Sequence, residues 1–254
     1  KLKIVDVTTT NAAGEEETFS VIRDADNENA FDSSDGRIKT DALTYWTDPD
    51  GFDVVAFDAD RNEVTGKDGR SVMRGGAGQQ VPGMLSDNTP PDANAEAGAR
   101  QLFTENPSTA NELIPYDADS DTASALASYL DPSATLTEDA LVDLIAWGRG
   151  IDVLNEDGDA TDNSRDWMMG DPMHSRPLVI NYGSVTPWDR DNPLIRLFFG
   201  ANDGWLRVVE NTTGAGLESG KELYGFMPLE LLGTQRRLAE NNPTIADLHP
   251  YGVD

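Results

Sequence analysis

The chain has 254 residues, with 46 acidic and 19 basic side chains, two histidines and no cysteine, for a formal net charge of −27 at neutral pH. A negative field of that size repels phosphate backbones and anionic lipid, which sets aside nucleic-acid and membrane-surface binding. The missing thiols exclude disulfides, thiolate metal sites and thiol nucleophiles, no run approaches the roughly 20 apolar residues of a membrane span, and a 38% apolar content suffices for one large domain or two smaller ones.

Lys1–Val7 reads Lys-Leu-Lys-Ile-Val-Asp-Val, apolar with a period close to two, and predicts a short strand with one wetted face. From Thr8 to Pro115 turn chemistry dominates: Asp-Gly at 35–36, Asp-Pro-Asp-Gly at 48–51, Gly-Lys-Asp-Gly at 66–69, Gly-Gly-Ala-Gly at 75–78 and Pro-Pro at 90–91. This predicts long irregular surface with short extended pieces such as Phe52–Phe57, some of it packed over a larger neighbour or mobile. Helices are expected only in the middle. Thr122–Leu130 is Ala-rich and follows Asp117, Asp119 and Asp121, carboxylates that suit the positive end of a helix. Thr135 and Glu138 have the spacing of a capping box, Leu141, Leu144, Ile145 and Trp147 share one packing face, and Gly148 is the expected stop.

After Pro177 the pattern changes to strands. Pro177–Tyr182, Leu194–Phe199, Trp205–Glu210 and Lys221–Met227 are short β-rich runs, the middle two joined by Asn202-Asp203-Gly204, a strong hairpin signal. Four consecutive antiparallel strands form a sheet unit of the kind that β-propellers repeat radially. The expected fold class is therefore mainly β: part of a β-propeller, an antiparallel four-stranded blade with a long irregular, partly helical flanking region. One unit cannot close a ring, so the remaining blades are expected mostly outside this chain or from its irregular first half. They would cover Val179, Ile195, Leu197, Phe199, Leu206, Val208 and Tyr224.

Charge divides the chain as well. Residues 1–171 hold 12 basic and 36 acidic side chains, a net of −24, whereas residues 172–254 hold 7 and 10, a net of −3. The expected organisation is an irregular acidic region over 1–170, with one strand and two helices, and a blade region over 171–254 that is truncated at its C-terminus. Lys1 is not a methionine and no terminating signal precedes Asp254, so a fragment or processed product is expected.

Several blocks occur in a specific order. Gly170-Asp171-Pro172-Met173-His174-Ser175-Arg176-Pro177 precedes Phe199-Gly200-Ala201-Asn202-Asp203-Gly204-Trp205-Leu206, and Glu222-Leu223-Tyr224-Gly225-Phe226-Met227-Pro228 follows. Upstream stand Tyr45-Trp46, Gly75-Gly76-Ala77, Leu102-Phe103-Thr104 and Ile145-Ala146-Trp147-Gly148-Arg149-Gly150. Together they resemble the C-terminal β-propeller region of PilY-type type IV pilus biogenesis proteins over nearly the whole chain. The resemblance implies a non-enzymatic extracellular protein at the pilus tip or cell surface of a Gram-negative bacterium, acting in pilus assembly and surface attachment. Its implied partners are pilins or minor pilins and a host or abiotic surface. The family's calcium loop lies beyond the segment present here.

Chemistry is weighed residue by residue. His174 and Ser175 with Asp171 invite a hydrolase reading, but triads converge from distant segments, and His174 is assigned to holding the start of the strand. Asn155, Asp157, Asp159, Thr161, Asn163 and Asp166 occupy positions 1, 3, 5, 7, 9 and 12 of an EF-hand-type loop, which makes them a candidate calcium site. Ala160 replaces the turn glycine and Asp166 the bidentate glutamate, and a solvated acidic loop is the competing reading. Trp205 and Gly-Lys-Glu-Leu-Tyr are similar to elements of quinone-dependent dehydrogenase propellers, yet no convergent quinone pocket is legible. Two alternatives stand beside the pilus reading: that dehydrogenase, and a free-standing calcium-binding adhesive module.

Overall fold

The β-branched run that opens the chain folds back on itself as a hairpin. In the computed structural model, which describes residues 2–39, 41–47, 55–57, 63–65, 76–82, 100–155, 164–165, 168–172, 174–211, 220–240 and 252, β1 (Lys3–Thr10) pairs antiparallel with β2 (Glu16–Arg23). The connecting turn is built by Asn11, whose Oδ1 accepts the amides of Ala13 and Glu15 at 2.9 and 3.0 Å. The first strand runs past Val7 to Thr10, and β2 lies in the stretch expected to be irregular. Polar cross-strand pairs explain why no apolar alternation announces it: Thr8 meets Thr18 at 2.9 Å and Ser20 donates to Asp6 at 2.7 Å.

Contact density divides the chain into two compact units, Lys1–Gln80 and Val81–Asp254. The first continues with the short strands β3 (Phe31–Asp32), β4 (Arg37–Ile38), β5 (Val55–Phe57) and β6 (Glu63–Thr65), then a helical turn, α1 (Gly76–Gln79). Buried Asp24 organises its loops by accepting the amides of Glu28 and Leu43.

The second unit is built on one sheet. Its strands are β7 (Leu102–Glu105), β8 (Leu113–Pro115), β9 (Leu178–Gly183), β10 (Leu194–Gly200), β11 (Leu206–Glu210) and β12 (Glu222–Met227), in the order β8-β7-β12-β11-β10-β9. β9 to β12 form the antiparallel meander expected after Pro177, with its tight turn at Asp203 and Gly204. The propeller-blade fold class is overturned. The unit is mixed α/β, because β7 adds to β12 in parallel and β8 adds to β7, so six strands form a mixed sheet rather than a four-stranded blade.

Gly225 is the local reason that β7 can join. It sits opposite Leu102, and a Cβ there would lie 2.8 Å from Leu102 Cδ2 and 3.2 Å from Trp205 Cε3. Thr104 Oγ1 then donates to the Met227 carbonyl at 2.8 Å.

Helices cover one face of this sheet. α2 (Ser120–Leu130) is capped by Asp119, which accepts the Thr122 amide at 2.7 Å, and α3 (Glu138–Arg149) by Thr137. The cap of α3 is therefore two residues beyond the expected Thr135, whose amide instead donates to Asp131 Oδ2. Nor does Gly148 stop the helix. Gly150 does, at φ +102°, with the Gly150 and Ile151 amides returning to the Trp147 and Ala146 carbonyls. Gly148 provides clearance, since a Cβ there would lie 2.6 Å from Gln235 Oε1 on α4 (Leu232–Ala239).

Leu126 and Leu130 of α2, Leu141, Leu144 and Ile145 of α3, and Leu232 of α4 close on Leu102, Tyr116, Trp205 and Met227. Tyr116 and Trp205 meet edge to face, with ring centroids 5.3 Å apart. The chain thus buries one sheet face with its own helices; of the residues expected to lie beneath further blades, Phe199 and Val208 are buried, Ile195, Leu197 and Leu206 half-buried, and Val179 and Tyr224 exposed. Among the described residues, no helix is long and apolar enough to cross a membrane.

Gly225→Ala is expected to cost about 1–3 kcal/mol by forcing Leu102 away from Trp205. The measurement is a urea unfolding midpoint, which should fall while the slope stays that of the parent chain.

Candidate functional site: a buried ion lattice beneath two interlocked loops

Arg207 is the second residue of β11, between Leu206 and Val208, and its buried side chain shares the helix-covered face with Val209. It meets Glu222, which begins β12, and Asp203 in the hairpin turn, and it donates to the Met168 carbonyl at 3.2 Å. Glu222 is shared. Arg100, two residues before Leu102, grips both of its oxygens at 2.7 and 3.0 Å. Arg100 and Arg149 then donate to each other's main-chain carbonyls, at 2.6 and 3.0 Å, and Arg149 reaches Asp117 at 3.1 Å.

Three guanidiniums therefore meet three carboxylates, a neutral set that ties β7, β11, β12 and the end of α3 together. Arg100, Arg149, Arg207 and Glu222 are all buried. Burial alone would raise the Glu222 carboxyl, but the charges of Arg100 and Arg207 and their hydrogen bonds outweigh it and hold the pKa down to about 2. The net outcome is the opposite at Tyr116, where burial prevails: its phenol has no hydrogen-bond partner among the described residues and is pushed well above its ordinary range despite nearby Arg149.

Above this lattice the two most specific motif blocks lock together. The Gly170 amide donates to Asp203 Oδ2 at 2.9 Å, the Asn202 amide to the Asp171 carbonyl at 3.0 Å, and Asn202 Nδ2 to Asp171 Oδ2 at 2.9 Å. Ser175 Oγ accepts the Gly200 amide at 2.8 Å. Contact at Gly170 is tight enough that a Cβ would lie 2.6 Å from the Asp203 amide nitrogen. Asp171 and Ser175 thus fasten one loop to the other, and His174 is exposed beside them.

The structure brings few of the sequence-predicted ligands into view. Asn155 is exposed at φ +54°, its amide donating to the Asp152 carbonyl at 3.2 Å. Asp157, Asp159, Thr161, Asn163 and Asp166 lie outside the described residues, as does His249. Asp119 serves as the α2 cap and Asp117 pairs with Arg149, while Asp121 lies in the first turn of α2. Among the described residues, no group of three or more histidines and carboxylates is placed to hold a metal ion.

The other sheet face was not anticipated as a site. There a groove of about 290 Å3 runs between Tyr182, Arg196, Phe198, Val208, Leu223 and Tyr224. Arg196 pairs with buried Glu210 and lies 5.8 Å from the Trp188 ring. An arginine within each of two otherwise apolar strands, Leu-Ile-Arg-Leu and Leu-Arg-Val-Val, is the signal that could have flagged both the lattice and the groove.

Glu222→Gln leaves Arg100 and Arg207 facing each other across a neutral amide and is expected to cost about 3–5 kcal/mol at pH 7, measured by chemical denaturation. The pH dependence adds a second readout. A carboxyl lowered from 4.5 to about 2 contributes stability that is complete above pH 4.5 and is lost as the pH falls toward 2. The variant should accordingly show a flatter loss of stability across that window. Comparison of the chain with protein-family models, curated proteins and solved structures finds no match.

Proposed function

We propose that the chain belongs to a non-enzymatic extracellular protein of a Gram-negative bacterium that works at a type IV pilus tip, in pilus assembly and surface attachment. The observation that carries this reading is the meeting of the resemblance blocks in space. Gly170, Asp171 and Ser175 of one block are spent on Gly200, Asn202 and Asp203 of the other. Residues used in this way preserve a shape, and the sheet carries a shallow open groove lined by Tyr182, Phe198, Leu223 and Tyr224 with Arg196. Pilins or minor pilins and a host or abiotic surface are the proposed partners.

Calcium at Asn155, Asp157, Asp159, Thr161 and Asp166 is part of the same proposal, since clustered carboxylates repel one another unless a cation compensates them. Calorimetric titration of the chain with calcium tests that element: binding at or below millimolar concentration supports it, and an absence of heat removes it.

The functional test is made in the bacterium that carries the gene. Deleting the segment should reduce surface pili counted by electron microscopy and reduce attachment to a surface, with both restored by the parent sequence. Unchanged piliation and attachment would overturn the reading, as would dye reduction by the purified chain when quinone and calcium are added.

A further inference from the structure

β9 forms one end of the six-stranded sheet, and among the described residues nothing pairs with its outer side. A strand in that position presents half of its amides and carbonyls to water as a template for another extended chain. Folded proteins usually blunt such an edge with charge, an internal proline or extreme shortness. β9 has none of these three, and its one irregularity is a register shift at its far end, where Leu194 and Ile195 meet Gly183 and Asn181. Its six residues, Leu178-Val-Ile-Asn-Tyr-Gly183, carry no charge in a chain where 26% of residues are charged, and Pro177 stands just before it rather than within it. Leu178, Val179 and Tyr182 are 58%, 55% and 50% exposed, large apolar side chains left in water on both faces of the same short strand.

The surroundings define what would fit. The row of backbone groups is satisfied fully only by a second extended strand, because a helix has already spent its own amides and carbonyls. Tyr182 also lines the groove of about 290 Å3, so a strand added beside β9 would extend the wall of that groove and place alternate side chains against its mouth. Charge narrows the choice further. From Pro172 to Gly200 three arginines, Arg176, Arg190 and Arg196, stand against two aspartates, Asp189 and Asp191, so the edge lies in a nearly neutral stretch of a chain carrying −27. An acidic partner is repelled by the molecule as a whole, and a second copy is such a partner.

We propose that the outer edge of β9 is a strand-addition site for an extended segment of a different polypeptide, one with alternating apolar residues and no acidic ones. This surface does not depend on the pilus reading, and either can fail without the other.

The test uses the whole chain and a synthetic seven-residue peptide of alternating valine or isoleucine with threonine or lysine. Hydrogen–deuterium exchange should show slowed exchange of β9 amides when the peptide is added, and fluorescence anisotropy should show saturable binding. A proline placed in the middle of the peptide should abolish both, because it removes a ladder donor and clashes with an added strand. Val179→Lys, at a position already exposed, should keep the parent unfolding midpoint and weaken peptide binding by about tenfold or more. Should that variant unfold, the proline-peptide comparison on the parent chain still decides. Absence of protection on β9 at millimolar peptide, equal binding of the proline peptide, or a dimer in sedimentation that Val179→Lys disrupts would each overturn the proposal, the last by assigning the edge to a second copy.

Discussion

Glu222, held between Arg100 and Arg207, is the constraint on which the second unit depends. Removing three guanidiniums and the Glu222 carboxylate from water costs several kcal/mol per ion, and the mutual attraction returns that cost only when geometry is right. What the lattice confers is therefore register. Arg100 is two residues ahead of Leu102, and Leu102 lies opposite Gly225 in the parallel pair. A slip of β7 by one residue would move it about 3.3 Å along β12 and turn its side chains to the other face, removing both Arg100 bonds to Glu222 and setting a side chain against Trp205. The forked guanidinium makes this selective, because it grips two oxygens of one carboxylate in a fixed plane.

The same lattice anchors the helices to the sheet face that they cover. Arg149 ends α3 and is tied to Tyr116 and Arg100, so the helical layer is anchored to the strand that joins the meander in parallel. Leu102, Thr104, Gly225, Met227 and Val209 face that layer and are buried, whereas Phe103, Phe226, Tyr224 and Phe198 alternate with them and stay partly exposed. Alternation along β12 and β7 thus records two different environments, a helix-covered face and, among the described residues, a partly exposed one.

The meander was legible because its signals are local: β-branched runs, and an Asn-Asp-Gly turn that permits one hairpin geometry. The helices were legible from their apolar stripes, though not their ends. Thr135 and Thr137 both precede Glu138 closely, and only the Asp131 carboxylate, which takes the Thr135 amide, decides between them. Long-range partnership left no such mark. Nothing in Leu102-Phe103-Thr104 states that it will lie parallel to a strand more than 120 residues away, and that pairing is what separates a six-stranded mixed sheet from a four-stranded blade. The lattice was hidden for a related reason: Arg207 stands out within an apolar strand, but Arg100, Arg149 and Glu222 are scattered in the chain and nothing local names them as its partners. The hairpin β1–β2 escaped because its cross-strand pairs are polar and it has no buried face.

Charge links the interior to the surface. The six groups of the lattice balance, three positive and three negative, so they contribute nothing to the net −27 and remove three of the chain's 19 basic side chains from its surface. The remaining acidic excess repels itself, an effect that salt weakens over a Debye length of about 8 Å at physiological ionic strength. Within that field the stretch around β9 and β10 is nearly neutral, because Arg176, Arg190 and Arg196 offset Asp189 and Asp191. A field of that sign repels approaching anions, and among the described residues the low-charge edge at β9 is a place where apolar burial and unpaired backbone offset that repulsion for an uncharged or basic strand.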